Sequence, residues 1–396
     1  MMAGYRNMKR SFALGIDNLL GKHRQWLKDK RVGLVSHLAA VDSDGCTTAE
    51  RLHLDPAVRL VALFGPEHGF FGTAGAGESC ATRMHPDLRI PIHSLYGKTR
   101  KPTRSMLKNV DALVIDLSDI AVRAYTYVAT LRNVLEVASD LHKEVIVADR
   151  PVPMPNTVDG PVALDPYVSF VSTEGLPLAY GMTPGETALW LKRTVGLSLE
   201  LRVSAMTGYI RHSGSAAVLS PWIPPSPAIV SLESAKCYPA TVLFEAIESV
   251  DHGRRTNLPF QVFGSSAMDG ARIARALSKI NLPGVTFHAH RYLVRSSAKH
   301  PTPVHGVRIT VVDADRFKPA RTAVSIIYTL QSLYGISCLW APKQTRPDFF
   351  DMLCGTGEVR RALLDGTKPA TIAASWQRDL ALFRKDRRKA LLYPKK

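Results

Sequence analysis

Leu60-Val61-Ala62-Leu63-Phe64-Gly65-Pro66-Glu67-His68-Gly69 sets an apolar run directly against a turn carrying an acid and an imidazole. The run shows no polar alternation, which predicts a strand buried on both faces, as in a parallel sheet covered by helices. Pro66 and its flanking glycines fix the turn, so Glu67 and His68 are presented from a constrained backbone. The same pattern recurs on either side. Val32-Gly33-Leu34-Val35 ends at Ser36 and His37, Leu113-Val114-Ile115 at Asp116 and Asp119, and Val145-Ile146-Val147 at Asp149-Arg150-Pro151. Ligands of open α/β sheets bind outside the carboxyl ends of the strands. Four polar strand tips therefore predict an active-site rim.

Between the strands, spacing over 126–141 and 184–195 predicts helices. The second opens on Thr183-Pro184-Gly185-Glu186, with Pro at the first helical position and the Thr–Glu spacing of a capping box. Glu186 is accordingly read as a cap. Pro221-Trp222-Ile223-Pro224-Pro225-Ser226-Pro227 can continue neither helix nor central strand and predicts a rigid connector. Beyond it, 267–280 and 320–334 read as helix and 285–289 and 307–312 as strand. The last segment, 358–392, reads as mainly helical with a turn near Gly366. The expected class is α/β, a doubly wound, mostly parallel sheet before the connector and an α+β domain after it.

With 396 residues, 45% of them apolar, the chain can bury a large core. No stretch approaches the roughly 20 apolar residues of a membrane span. The basic N-terminus, 1–10, leads into an apolar run that Asp17 and Asn18 break too early for a signal peptide, so a cytoplasmic protein is expected. Cys46, Cys80, Cys237, Cys338 and Cys354 are scattered without a C-x-x-C pair, which indicates neither a disulfide framework nor a zinc site. Gly72, Gly75 and Gly77 have the wrong order for a dinucleotide fingerprint, and Glu67 and Glu78 would face phosphates of their own sign. No cofactor and no metal is expected. The net charge of +17 favours anionic partners in general. The run Arg384-Lys385-Asp386-Arg387-Arg388-Lys389 reads as a solvated helix face. No zinc-finger spacing or RNA-recognition signature accompanies it, so nucleic acid is a disfavoured partner.

Glu67 and Glu78 lie eleven residues apart on one Gly-rich segment. Two carboxylates flanking a bond are the equipment of glycoside hydrolysis; equally, Glu78 could pair with a neighbour on its loop. Asp116 and Asp119 are followed by Arg123, whose planar fork suits a substrate carboxylate, and by Tyr125 and Tyr127, whose rings suit a sugar face. That mix fits an acidic sugar, and it also fits an internal Asp–Arg pair with core tyrosines.

Several motifs then carry a resemblance. They are Leu63-Phe-Gly-Pro-Glu-His-Gly69, Ala76-Gly-Glu78, Ser94-Leu-Tyr-Gly97, Asp116-x-x-Asp119, Arg123-x-Tyr-Thr-Tyr127, Asp149-Arg-Pro151 and Gly181-Met-Thr183. Pro224-Pro-Ser-Pro227, Tyr238-Pro239, Phe244-Glu245, Pro259-Phe260 and Ala373-Ala-Ser-Trp376 extend the match through the second half. The chain resembles the exo-β-N-acetylmuramidases of the NamZ type, glycoside hydrolase family 171. The resemblance implies a Rossmann-like catalytic domain over 12–235 and a smaller auxiliary α+β domain over 236–396, with the cleft near their junction. It also implies a cell-wall hydrolase that removes N-acetylmuramic acid from the non-reducing end of peptidoglycan fragments. Glu67 and Glu78 are the implied catalytic pair. His68, Asp116, Asp119, Arg123, Tyr125, Tyr127 and Arg150 are the implied substrate contacts, with Arg123 or Arg150 on the lactyl carboxylate. The expected partner is a peptidoglycan-derived sugar, with no membrane span and with a homodimer as an admissible assembly. The chain departs from the family pattern at His37, Ala39, Ser118, Val152, Tyr180, Glu248 and Gly253-Arg-Arg-Thr256. A paralogue that binds muropeptides without cleaving them is the rival reading.

Overall fold

The computed structural model describes residues 12–75, 77–78, 81–211, 219, 221–295 and 301–395. The basic stretch 1–10 and Cys80 lie outside them. The first half supplies strands β1 (Arg31–Ser36), β2 (Arg59–Gly65), β3 (Arg83–Met84), β4 (Pro91–Ser94), β5 (Ala112–Asp116), β6 (Glu144–Ala148), β7 (Asp159–Val162), β8 (Pro177–Ala179) and β9 (Leu201–Ser204). Seven of these form one sheet in the order β3-β4-β2-β1-β5-β6-β9, in which the short β3 alone pairs antiparallel. Counted along the chain, the six parallel strands follow the order 3-2-1-4-5-6 of doubly wound nucleotide-binding sheets. The order reverses between β1 and β5, the point at whose carboxyl ends sheets of this kind bind ligands.

The unbroken apolar runs have a direct cause. Successive residues of each central strand enter different cores, Leu113 and Ile115 one, Val114 the other; Val145 and Val147 one, Ile146 the other. Helices α1 (Gly15–Leu20) and α2 (Thr48–Leu54) cover one face through Ile16, Leu19, Ala49 and Leu52. Helices α3 (Tyr127–Asp140) and α4 (Pro184–Val195) cover the other. The Thr183–Glu186 capping box opens α4 as its spacing predicts. Glu186 also forms a buried ion pair with Arg211, a second duty that the spacing did not reveal.

After the connector come α5 (Leu232–Thr241), β10 (Val262–Phe263), α6 (Gly270–Ile280), β11 (Val285–Val294), β12 (Thr302–Val311) and α7 (Pro319–Tyr334). The strands form an antiparallel sheet in the order β10-β12-β11. β11 and β12 extend well past the sequence-based ends, because the two strands satisfy each other's backbone groups beyond the region where a core covers them.

The two halves share one hydrophobic core, running from Leu113 and Val128 through Tyr238 and Phe260 to Phe350 and Phe383. Polar groups also cross the junction. Asp159 accepts the N–H groups of Ala320 (2.9 Å) and Arg321 (3.2 Å), capping α7 from the other half. Arg123 is fully enclosed and donates to the carbonyls of Pro161 (2.8 Å), Leu176 (2.7 Å) and Leu353 (2.8 Å). A Cβ on Gly355 would lie 2.7 Å from its guanidinium, so glycine is required there.

The basic run near the end is not a solvated face throughout. Arg387 is buried and donates to the Tyr180 (2.9 Å) and Gly181 (3.2 Å) carbonyls, Arg384 donates to the Val158 carbonyl (3.0 Å), and Asp386 pairs with Arg193. Replacing Arg123 with alanine would take their side-chain donor from the buried Pro161 and Leu353 carbonyls, at about 1–3 kcal/mol each, while Leu176 keeps the Ala163 N–H. The urea midpoint of Arg123→Ala should drop sharply with a single transition retained. An unchanged midpoint would show that the guanidinium does not hold the junction.

Candidate active site

At the tip of β2 the chain must reverse sharply, and a Cβ on Gly65 would sit 2.4 Å from the Phe70 amide nitrogen. His68 is held at φ 70°, an uncommon conformation for a side-chain-bearing residue. Its Nδ1 lies 2.9 Å from the Ala74 carbonyl, which can only accept, so Nδ1 carries a proton. Glu67 is 8% exposed, and its Oε1 accepts the Gly77 N–H at 3.0 Å. The Tyr96 hydroxyl faces the same carboxylate; burial, and then the Glu67 charge, raises its pKa. Glu78 follows on the same loop but is exposed, and its carboxylate accepts the Gly75 N–H (2.8 Å).

At the tip of β1, His37 is buried and its Nε2 accepts the Ser118 N–H at 3.0 Å. Burial, helped by the charges of Arg150 and His68, pushes its pKa down to about 3, so the ring is neutral with its proton on Nδ1. It packs edge-on against Tyr127, with ring centroids 5.1 Å apart.

The acidic tips of β5 and β6 turn inward. Asp116 forms a buried ion pair with Arg150 and accepts the Thr48 hydroxyl, while Arg150 also donates to the Val41 carbonyl (2.7 Å). Asp149 accepts the Gly185 N–H (2.7 Å), the Thr183 hydroxyl (2.8 Å) and the Tyr393 hydroxyl, anchoring the start of α4. Burial, and then the nearby Glu186 charge, raises its pKa to about 7. Of the two arginines expected on a substrate carboxylate, Arg123 is enclosed with its Nη groups on backbone carbonyls, and Arg150 engages Asp116 and Val41 through Nε and Nη2.

Asp119 accepts the Ala121 N–H (2.9 Å) and the Tyr180 hydroxyl (3.1 Å), and burial raises its pKa to about 6. Tyr125 (6% exposed) begins an aromatic chain across the junction, with centroids 4.7 Å from Tyr127 and 6.1 Å from Tyr238; Tyr238 in turn lies 4.8 Å from Phe260. Tyr127 donates to the Pro225 carbonyl (2.7 Å), and Tyr238 to the Ala124 carbonyl (3.2 Å).

This chain of rings leads to a group that strand-tip reasoning missed. Glu245, on the helical turn Val242–Ala246, pairs with Arg254 (2.7 Å), whose guanidinium lies over Phe260. Burial raises the Glu245 carboxyl above its ordinary range; Arg254 opposes this, and the negative charge of Glu67 adds to it. The two carboxyl groups belong to different halves of the chain. Only the Phe244-Glu245 motif pointed to this residue, because the approach is tertiary. Among the described residues no cluster of three or more potential ligands could hold a metal ion.

The enclosure of Asp119 has a measurable sign. Between about pH 4, the ordinary aspartate range, and about pH 6, the folded protein holds a proton that the unfolded chain releases. Stability contributed by this group is therefore lost as pH rises through that window, by about 1–3 kcal/mol. Asp119→Asn keeps the acceptor oxygen and should flatten that slope in urea titrations. Identical slopes in the two proteins would place the raised carboxyl elsewhere.

Comparison with known proteins gives consistent matches. The family description "Exo-beta-N-acetylmuramidase NamZ, N-terminal" matches residues 32–233, and its C-terminal counterpart matches 236–393. The peptidoglycan β-N-acetylmuramidase NamZ of Bacillus subtilis is 36% identical over 380 residues, covering 96% of this chain and 91% of that protein. A crystal structure of a DUF1343 family protein from Bacteroides fragilis superposes with a TM-score of 0.89 at 32% identity, over 97% of this chain and 99% of that one. A second from the same organism gives 0.75 at 26% identity, with the same coverage. The matches extend over both sides of the connector, and the chain belongs to the exo-β-N-acetylmuramidase NamZ family.

Proposed function

We propose that the protein is an exo-acting glycoside hydrolase that releases N-acetylmuramic acid from the non-reducing end of peptidoglycan fragments. The observation that carries the reading is the match to this family on both sides of the connector, joined to two enclosed carboxyl groups, Glu67 and Glu245, one in each half of the chain. Glycoside cleavage uses such a pair, one to protonate the leaving oxygen and one to act at the anomeric carbon. Glu245, with its raised pKa, suits the proton donor. Glu67, held by the Gly77 N–H and facing Tyr96, suits the carboxylate that acts on the sugar. Glu78 remains a loop residue near the mouth in this scheme, rather than the second catalytic carboxylate.

Arg254 replaces Arg123 and Arg150 as the group for the lactyl carboxylate, since its side chain is 32% exposed and lies beside the Phe260 ring. A substrate carboxylate drawn to Arg254 would compete with Glu245 for the guanidinium. Losing that cation favours the protonated form of Glu245. Substrate binding would thereby load the acid.

Two substrates separate the roles. A muramic-acid glycoside with an activated aryl leaving group needs little protonation, whereas a muramyl-glucosamine disaccharide needs it fully. Glu67→Gln should lower turnover of both by about 10²-fold or more. Glu245→Gln should slow the disaccharide by a similar factor and largely spare the aryl glycoside. Equal losses on both substrates for Glu245→Gln would remove its assignment as acid. A parent protein that binds muramic acid and releases it from neither substrate would be a muropeptide-binding paralogue.

A further inference from the structure

We propose that the β11–β12 hairpin and α6 form a docking surface for the acidic glycan polymer whose end enters the crevice, an inference that rests on the hydrolase reading above. Residues 270–312 contain seven Lys or Arg and four His but no Asp or Glu. So long an acid-free stretch departs from the mixed charges of an ordinary solvated face. Among the described residues, Arg272, Arg275, Arg291 and Arg308 are exposed, and none of them forms an ion pair with a carboxylate.

The pairing register divides these charges between the two faces: His288 lies opposite Arg308 on one, and Arg291 lies opposite His305 on the other. Arg291 and His305 continue the face that α6 covers. The α6 N-terminus is seated on that pair, since a Cβ on Gly270 would lie 1.9 Å from the Gly306 carbonyl and 3.1 Å from that of His305. The cations of α6 and of the hairpin thus adjoin.

The surface is stitched to the crevice. Asp251 and Gly264 exchange backbone hydrogen bonds (2.8 and 3.0 Å), and Gly264 packs against Gly306 of β12. Three residues beyond Asp251 is Arg254, the partner of Glu245. A polymer bearing lactyl and peptide carboxylates could therefore lie on the hairpin while its end reaches the paired carboxyls. Edge strands also carry charge simply to prevent edge-to-edge pairing. That protective role is indifferent to sign, which makes charge reversal a discriminating change.

The test uses the full chain and purified peptidoglycan sacculi. The parent should co-sediment with sacculi, and release should rise with salt towards about 1 M, where the Debye length falls to about 3 Å. Arg291→Glu should weaken co-sedimentation about tenfold or more, through like-charge juxtaposition, and leave aryl-glycoside turnover unchanged. Arg272→Glu with Arg275→Glu supplies an independent variant on the helix. Parent-like co-sedimentation of both variants would overturn the proposal. So would tighter binding of the parent to duplex DNA than to sacculi at equal ionic strength, if the same variants abolish it. Sacculus binding is read without catalysis, so a parent that binds but does not cleave would refute the hydrolase reading and leave the docking surface standing.

Discussion

The rim depends on one enclosed ion pair, Asp116 with Arg150. Asp116 closes β5, Arg150 follows β6, and the pair reaches the β1–α2 segment through the Val41 carbonyl and the Thr48 hydroxyl. Removing two charges from water is expensive, and removing one partner of such a pair more expensive still. The pair therefore fixes the relative positions of three chain segments at the point where the sheet order reverses. The Arg150 charge also helps keep His37 unprotonated, which leaves its Nε2 able to accept the Ser118 N–H. That bond positions the turn whose next residue is Asp119, and Asp119 receives the Tyr180 hydroxyl. A single buried charge balance thus propagates from the sheet to the crevice wall.

Strand identity and strand direction were legible from the sequence because a parallel sheet leaves an unmistakable apolar run, as in Leu113-Val114-Ile115. The tips of those strands were legible for the same reason. What the side chains at the tips do was not. Asp116, Asp149 and Arg150 have the residue types of ligand-binding groups, yet their partners are Thr48, Thr183, Gly185, Val41 and one another. Residue type reports what a group can bind, whereas its partner is set by contacts between distant segments. Glu245 shows the converse. It follows an apolar stretch and ends no strand, so only the Phe244-Glu245 motif marks it, and its partner Arg254 lies nine residues on. The basic run at 384–389 misled for a related reason, since Arg387 is recruited by carbonyls more than two hundred residues away.

Perturbed acidity alone would also have misdirected the search. Asp149 has its pKa raised to about 7, yet it serves as an anchor beneath the N-terminus of α4 and the Tyr393 hydroxyl. Structural networks shift acidity as effectively as catalytic ones do. What separates Glu245 is that its burial is incomplete, that its partner Arg254 is partly exposed, and that the opposing charge belongs to the other half of the chain. Dividing the two carboxyls between the halves makes chemistry conditional on their docking.

Arg123 sets the terms of that docking. Its donors grip two carbonyls of the first half and one of the second, with no carboxylate to balance the charge. Opening the junction by even an ångström would stretch those bonds inside a region that water cannot reach. The halves accordingly act as a gauge of fixed gape, not as jaws that close on their prey. Any group that enters between them must fit a separation that the fold has already set. The bonds that complete the fold are in this sense also the calibration of the instrument.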